Sequence, residues 1–116
     1  MAIERHGAGP RMSAAVVHGN TVYLAGMVAE DPSKDITEQT KSVLSRIDAG
    51  LKSAGTDKSK LLSAQIFITD MRNFADMNSV WDAWVDPKNT PARATVEANL
   101  ANTKYLVEIM CTAAID

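Results

Sequence analysis

Residues 12–29 read MSAAVVHGNTVYLAGMVA, two runs of β-forming residues on either side of Gly19 and Asn20. A two-residue break of this kind is typical of a tight hairpin, because both residue types tolerate the left-handed backbone that such turns require. The runs 12–18 and 21–29 therefore predict two antiparallel strands. Residues 2–6 predict a shorter, weaker strand before them.

The segment that follows predicts a helix with defined ends. Asp35 can cap it, with Glu38 three residues later as the acidic partner of a capping box. Apolar residues then recur at helical spacing from Ile36 to Ala54, and Gly55 ends the pattern. A strand is predicted next, over residues 61–69.

A second apolar stripe predicts a helix from a cap at Asn73 to Val85, with Pro87 as the stop. Two more strands are predicted at 92–100 and 105–115. This order of elements indicates a single α+β domain spanning residues 1–116. We expect a mixed sheet of about six strands with the two helices on one of its faces.

The composition argues against several classes of protein. The 116 residues carry a formal net charge of −2, and lysine and arginine are scattered without a basic stripe, so nucleic acid is not an expected partner. No apolar run approaches the roughly 18 residues of a membrane helix. Glu4 and Arg5 stand where a signal peptide would need apolar residues. We therefore expect a cytoplasmic protein without a membrane partner.

The sequence predicts neither a metal site nor an organic cofactor. Cys111 is the single cysteine, which suits a small core residue better than a metal cluster. His6 and His18 have no partner at metal-ligand spacing. Ser13 and Thr95 lack a His–Asp system, which argues against a serine hydrolase.

The last two strands hold the strongest candidates for chemistry. A tight hairpin over 101–104 would set residue 100 against residue 105, and alternation would then place Arg93, Thr95, Glu97 and Glu108 on one face. Glu108 is unusual because it lies between Val107 and Ile109 in the middle of an apolar strand. The polar face is either a cross-strand ion pair or a guanidinium that binds a carboxylate substrate beside a glutamate that handles a proton or a water.

A further pattern predicts that the second face of the sheet is covered. The strands at 21–29 and 61–69 carry large apolar residues on both sides, such as Leu24 against Tyr23 and Ile66 against Phe67. Two helices cover only one face, so the other face needs a second surface. Self-association would cover it and leave polar residues in clefts between subunits.

Four segments together resemble the RidA/YjgF/UK114 family. They are Gly19–Gly26, Phe74–Asn78, Thr90–Glu97 and Val107–Ile109, and the resemblance extends from about residue 11 to 115. The Pro-x-Arg…Val-Glu block with its later glutamate is the most specific part. The chain is most similar to a short bacterial branch of the family, with Arg11-Met12-Ser13 at its start.

The resemblance implies a chorismate-mutase-like α+β fold and a homotrimer with three clefts between subunits. It also implies a hydrolytic deaminase that converts reactive 2-imino or enamine acids, such as 2-iminobutanoate and 2-iminopropanoate, to 2-oxo acids and ammonia without a cofactor. By position, Arg93 corresponds to the arginine that holds the substrate carboxylate, and Glu108 to the glutamate that positions the attacking water.

The resemblance also assigns substrate-binding positions, at which this chain departs from archetypal members. Met12 replaces a tyrosine, Ala25 a serine before Gly26, and Thr95 a cysteine. Two other functions stay open: a non-catalytic protein that binds a small carboxylate metabolite, and a ribonuclease of the kind described for some relatives. The acidic balance of the chain disfavours the ribonuclease.

Overall fold

Six strands form one mixed sheet in the order β1-β2-β3-β6-β4-β5, and the computed structural model describes all residues from Met1 to Asp116. The strands are β1 (Ile3–His6), β2 (Ala15–His18), β3 (Thr21–Leu24), β4 (Leu61–Ile68), β5 (Ala92–Glu97) and β6 (Val107–Ala114). The helices are α1 (Ile36–Ser53) and α2 (Phe74–Trp84), with short 3-10 helices at Lys58–Lys60 and Met71–Asn73. The α+β class and the element order predicted from sequence are confirmed.

The N-terminal half follows its sequence signals. Strands β2 and β3 form the predicted hairpin, with His18 opposite Thr21, and Gly19 adopts a φ of 63° in the turn. At the start of α1 the Asp35 carboxylate accepts the Glu38 amide hydrogen bond at 2.9 Å. A cap of this kind is worth about 0.5–2 kcal/mol. Gly55, at a φ of 84°, follows the end of the helix.

The start of α2 differs from its prediction. Asn73 occupies the N-cap position but makes no side-chain capping hydrogen bond. Asp70 takes that role one turn earlier, where its carboxylate accepts the backbone N–H of Arg72 and begins the 3-10 helix that leads into α2. An aspartate two residues before a backbone N–H often closes a local turn in this way, so the start signal belongs to Asp70.

Both helices pack on one face of the sheet, and the core lies between the helices and the sheet. Alternate residues of β4 and β6 point into it, and they meet the apolar stripes of α1 and α2. Its largest fully buried side chains include Leu44, Ile47, Leu51, Ile66, Met77 and Ile109. Cys111 is part of this core, as its apolar neighbours predict.

The predicted hairpin between the last two strands is wrong. Strand β4 lies between β5 and β6, parallel to the first and antiparallel to the second. Arg93 is level with Ala64, and Glu108 is level with Phe67. Because β4 and β5 are joined through α2, the two strands run parallel as neighbours, as in other crossover connections.

This pairing also corrects the predicted faces. Arg93 shares the helix-covered face with its partner Ala64, whereas Glu108 shares the opposite face with Phe67. Ala92 and Ala94 are exposed on the uncovered side of β5. Arg93, Thr95 and Glu97 therefore do not share a face with Glu108.

The face away from the helices, the open face, is uncovered and carries large apolar side chains among polar ones such as Gln65 and Thr112. Tyr23, Val96 and Met110 lie on it with 47%, 43% and 45% of their surface exposed. Large apolar side chains that are nearly half exposed on one sheet face are typical of an interaction surface. As predicted, the helices cover one face of the sheet and leave large apolar side chains exposed on the other.

Candidate active site

Arg93 projects from the edge strand β5 toward α2. Its Nη1 donates to the Asn78 carboxamide oxygen at 2.8 Å, and its Cζ lies 5.3 Å from the ring centroid of Trp81. Asn78 and Trp81 are three residues apart and so lie on the same face of the helix. The guanidinium is thus held by a hydrogen bond and by a cation–π contact, while Nε and Nη2 make no hydrogen bond within the chain.

Thr95 lies two residues along β5 from Arg93 and therefore on the same face. Its Oγ1 is buried and has no hydrogen-bond partner, the only buried side-chain polar atom of the chain in this state. A buried hydroxyl without a partner is costly. We refer to Arg93, Thr95, Asn78 and Trp81 together as the arginine half-site.

Glu108 lies on the open face in the middle of the sheet, next to Gly26. A Cβ atom at residue 26 would stand 2.5 Å from Oε2 of Glu108, so only glycine leaves room for the carboxylate there. The chain around Gly26 is held to β6 by two hydrogen bonds between the backbones of Met27 and Ile109, of 2.8 and 3.0 Å. The Glu108 carboxylate has neither an ion-pair partner nor a hydrogen bond within the chain.

The backbone N–H of Gly26 likewise has no acceptor within the chain, unlike those of its neighbours. Ala25 N–H donates to the Ala14 carbonyl at 2.9 Å, which ties the loop between β1 and β2 to this region. Met12 lies on that loop with 59% of its surface exposed. Glu108 and Gly26 form what we call the glutamate half-site, with Ala25 and Met12 on the segments beside it.

The remaining acidic candidate has a structural role. Glu97 accepts the backbone N–H of Met71 at 2.8 Å and so fixes the 3-10 helix before α2. It contacts neither Glu108 nor Arg93, and the ion pair between Arg93 and Glu108 that the sequence left open does not form within one chain. The candidate site is therefore split between the two faces of the sheet in one chain.

Sequence reasoning missed two members of the arginine half-site. Trp81 is 5% exposed and belongs to the core, but its ring face also contacts the guanidinium, which the apolar stripe of α2 does not indicate. Asn78 was part of a matched segment without a role of its own. A polar residue beside the apolar stripe of α2, three residues before a tryptophan, was the available signal.

Other chemistry finds little support among these residues. No three His, Cys, Asp or Glu side chains come together in an arrangement that could hold a metal ion. Burial raises the pKa of the Cys111 thiol to about 12, so the cysteine is protonated at neutral pH. None of the helices combines the length and apolar character required to cross a bilayer.

Fold and site together define an α+β protein with a split Arg/Glu site. The family model for endoribonuclease L-PSP matches residues 3–115. The RutC family protein YoaB of Escherichia coli K12 is 47% identical over 115 residues, which cover 99% of this chain and 100% of that protein. A RutC family protein of Haemophilus ducreyi is 45% identical over 106 residues, or 91% of each chain.

A solved structure agrees with these sequence matches. The crystal structure of a YjgF family protein from Neisseria meningitidis superposes with a TM-score of 0.96 at 46% identity, covering 100% of this chain and 97% of the other. The chain therefore belongs to the RidA/YjgF family, also described as RutC or L-PSP, which confirms the family resemblance found in the sequence.

Proposed function

We propose that the protein is a homotrimeric hydrolase that converts 2-imino acids to 2-oxo acids and ammonia in clefts between subunits. The observation that carries this proposal is the split site: an arginine with a free fork and a glutamate with a free carboxylate lie on opposite faces of one chain. Packing of the open face against a neighbouring copy would bring the arginine half-site of one subunit to the glutamate half-site of the next.

The arginine half-site suits a substrate carboxylate. Nη1 of Arg93 is engaged by Asn78, so a carboxylate would be bound by Nε and Nη2 through two parallel hydrogen bonds. The cation–π contact with Trp81 keeps the guanidinium in place before the substrate arrives. This preorganisation fixes the direction in which the C=N bond extends from the arginine.

The glutamate half-site suits activation of water. The Glu108 carboxylate would take a proton from a water molecule as the oxygen attacks the imine carbon, and would pass that proton to the imine nitrogen. From the resulting 2-hydroxy-2-amino acid, Glu108 would then take the hydroxyl proton and transfer it to the amino group, and ammonia leaves as the C–N bond breaks and the C=O bond forms. One water is consumed, and one oxo acid and one ammonia are produced.

Two further groups support the same reaction. The unused N–H of Gly26 could donate to the oxygen or nitrogen that carries the developing charge. The Oγ1 of Thr95 is buried and unpartnered, and a rotation of its side chain would be needed to let it hydrogen-bond to the substrate near the carboxylate. An imine already hydrolyses in water, so positioning and a general base, worth typically ~10²–10⁴-fold, meet the demand of the reaction.

The test is turnover of an imine generated in situ. An amino-acid oxidase or dehydratase would produce 2-iminobutanoate or 2-iminopropanoate, and ammonia release would be followed with and without the protein, with semicarbazide trapping the remaining imine. We expect faster ammonia release and less trapped imine. If the protein binds 2-oxobutanoate but leaves the rate at that of the buffer, it is a carboxylate-binding protein rather than a deaminase.

A further inference from the structure

A groove lies between α1 and α2, on the side of the molecule away from the open face. It is open to solvent and has a volume of about 570 Å³, within the range of small-molecule sites. Residues from one stripe of each helix line it, and none of them belongs to the arginine or the glutamate half-site. We call this cavity the helix groove.

The two helices run parallel, because α1 joins β3 to β4, α2 joins β4 to β5, and these three strands point the same way. At the C-terminal end of the groove, Trp84 Nε1 donates to Asp48 Oδ2 at 2.9 Å. Lys41 comes seven residues before Asp48, or about 10 Å, and Asp76 eight residues before Trp84, or about 12 Å. Lys41 and Asp76 therefore lie toward the N-terminal end, on opposite walls of the groove.

The charges at the two ends of the groove differ in their pairing. At the C-terminal end, Asp48 is bonded to Trp84, and Lys58 Nζ lies 5.1 Å from the centroid of the Trp84 ring. At the other end, Lys41 has only a 3.9 Å contact with the exposed Glu38. Asp76 takes part in neither an ion pair nor a side-chain hydrogen bond.

The groove thus has one end with two charges that are free to bind a ligand, and another end at which the charges of Asp48 and Lys58 are already engaged with Trp84. Lys41 and Asp76 offer one cation and one anion, while Leu44 and Val80 between the ends lead to the ring of Trp84. A purely anionic ligand would meet Asp76, and a purely cationic ligand would meet Lys41. A ligand that carries both charges on one carbon avoids both repulsions.

We propose that the helix groove binds a free α-amino acid with an apolar or aromatic side chain. Its carboxylate would pair with Lys41 and its ammonium with Asp76. Its side chain would lie over Leu44 and Val80, with its end against Trp84. This binding is independent of the deaminase proposal, because it uses no residue of either half-site.

The test is calorimetric titration with L-leucine in an Arg93→Ala background, which removes carboxylate binding at the proposed active site. Two analogues serve as probes: L-leucinamide lacks the carboxylate, and 4-methylpentanoate lacks the ammonium. We expect saturable binding of L-leucine and affinities at least about tenfold lower for both analogues, since each loses one charge-assisted contact.

Variants on the groove locate the binding. Lys41→Met and Asp76→Asn should each weaken L-leucine binding about tenfold. Lys52→Met and Asp82→Asn, on exposed positions of the same helices outside the groove, should leave it unchanged. Absence of saturable binding, equal affinity for either analogue, or unchanged binding in both groove variants would overturn the proposal, whatever the outcome of the turnover assay.

Discussion

The carboxylate of Glu108 lies so close to Gly26 that a methyl group at residue 26 would stand 2.5 Å from Oε2. The contact joins a strand residue to a loop residue 82 positions earlier in the chain. It is maintained by the backbone bonds between Met27 and Ile109. A substitution at residue 26 therefore reports directly on the position of Glu108.

Gly26→Ala should keep the fold and displace the carboxylate. The nearest atoms belong to the far end of a flexible side chain, which can rotate away at little cost in stability. We expect turnover of 2-imino acids to fall about 10²-fold, because the general base leaves its place. Gly9→Ala is the matched control, since its new methyl would meet nothing closer than 3.6 Å. Equal activity in both variants would contradict the assigned role of Glu108.

Glu108→Gln tests the same residue without moving it. The amide has the shape of the carboxylate but cannot accept a proton from water, so turnover should fall at least ~10²-fold. The subunit association and the affinity for 2-oxobutanoate should stay close to those of the wild type. Glu30→Gln, an exposed change on a loop, serves as the control. A Glu108→Gln protein with normal turnover would make Glu108 a bystander.

Arg93 variants test substrate binding. Arg93→Lys keeps the charge but loses the two parallel hydrogen bonds, so most affinity for pyruvate or 2-oxobutanoate should disappear. Arg93→Ala should lose it all, at a cost of roughly 2–4 kcal/mol. Titration calorimetry measures both, and sedimentation of each variant checks assembly. Arg72→Lys, which alters an exposed pair with Asp70, is the control. Equal affinities in all four proteins would return Arg93 to a structural role.

Assembly through the open face gives a separate prediction. Light scattering should show a particle of three 12.5 kDa chains. Met110→Lys places a charge in the middle of the open face and should dissociate it, because an unpaired ammonium is costly to bury. Met71→Lys is the matched control, because Met71 is 40% exposed and Met110 is 45% exposed. Met71 lies outside the sheet, so this variant should leave the assembly intact. A concentration-independent monomer in the wild type would exclude the cleft model.

Cys111 links stability to alkaline pH. In the unfolded chain its thiol ionises near its ordinary pKa of 9.0, whereas burial raises the pKa to about 12 in the fold. Between these values the unfolded state binds fewer protons, so the free energy of unfolding falls as pH rises from 9.0 towards 12. Urea titrations at about pH 8 and about pH 10.5 should show that the free energy of unfolding of the wild type falls by about 1–2 kcal/mol more than that of Cys111→Ala between these two pH values. Identical losses would mean that the thiol ionises freely in the fold.

The sequence by itself determined the elements and the periodicity within each of them. Gly19-Asn20 specified the first hairpin, and Asp35 and Gly55 specified the ends of α1, because turns and caps depend on residues only a few positions apart. The Pro-Ala-Arg block and Glu108 were also recognisable as the polar interruptions of two apolar strands. Alternation fixes which residues of one strand share a face, so it placed Arg93 with Thr95 correctly.

Only the tertiary structure decided how those strands are arranged relative to one another. The pairing of β4 with both β5 and β6 joins segments that are far apart in the chain, and local pattern carries no signal for it. Alternation relates the faces of two strands only when the neighbouring strands and their register are known. The sequence paired β5 directly with β6, and this is why it placed Arg93 and Glu108 on one face. The roles of Asn78 and Trp81 depend on how α2 packs beside β5. The close fit of Gly26 against Glu108 depends on a loop that pairs with β6.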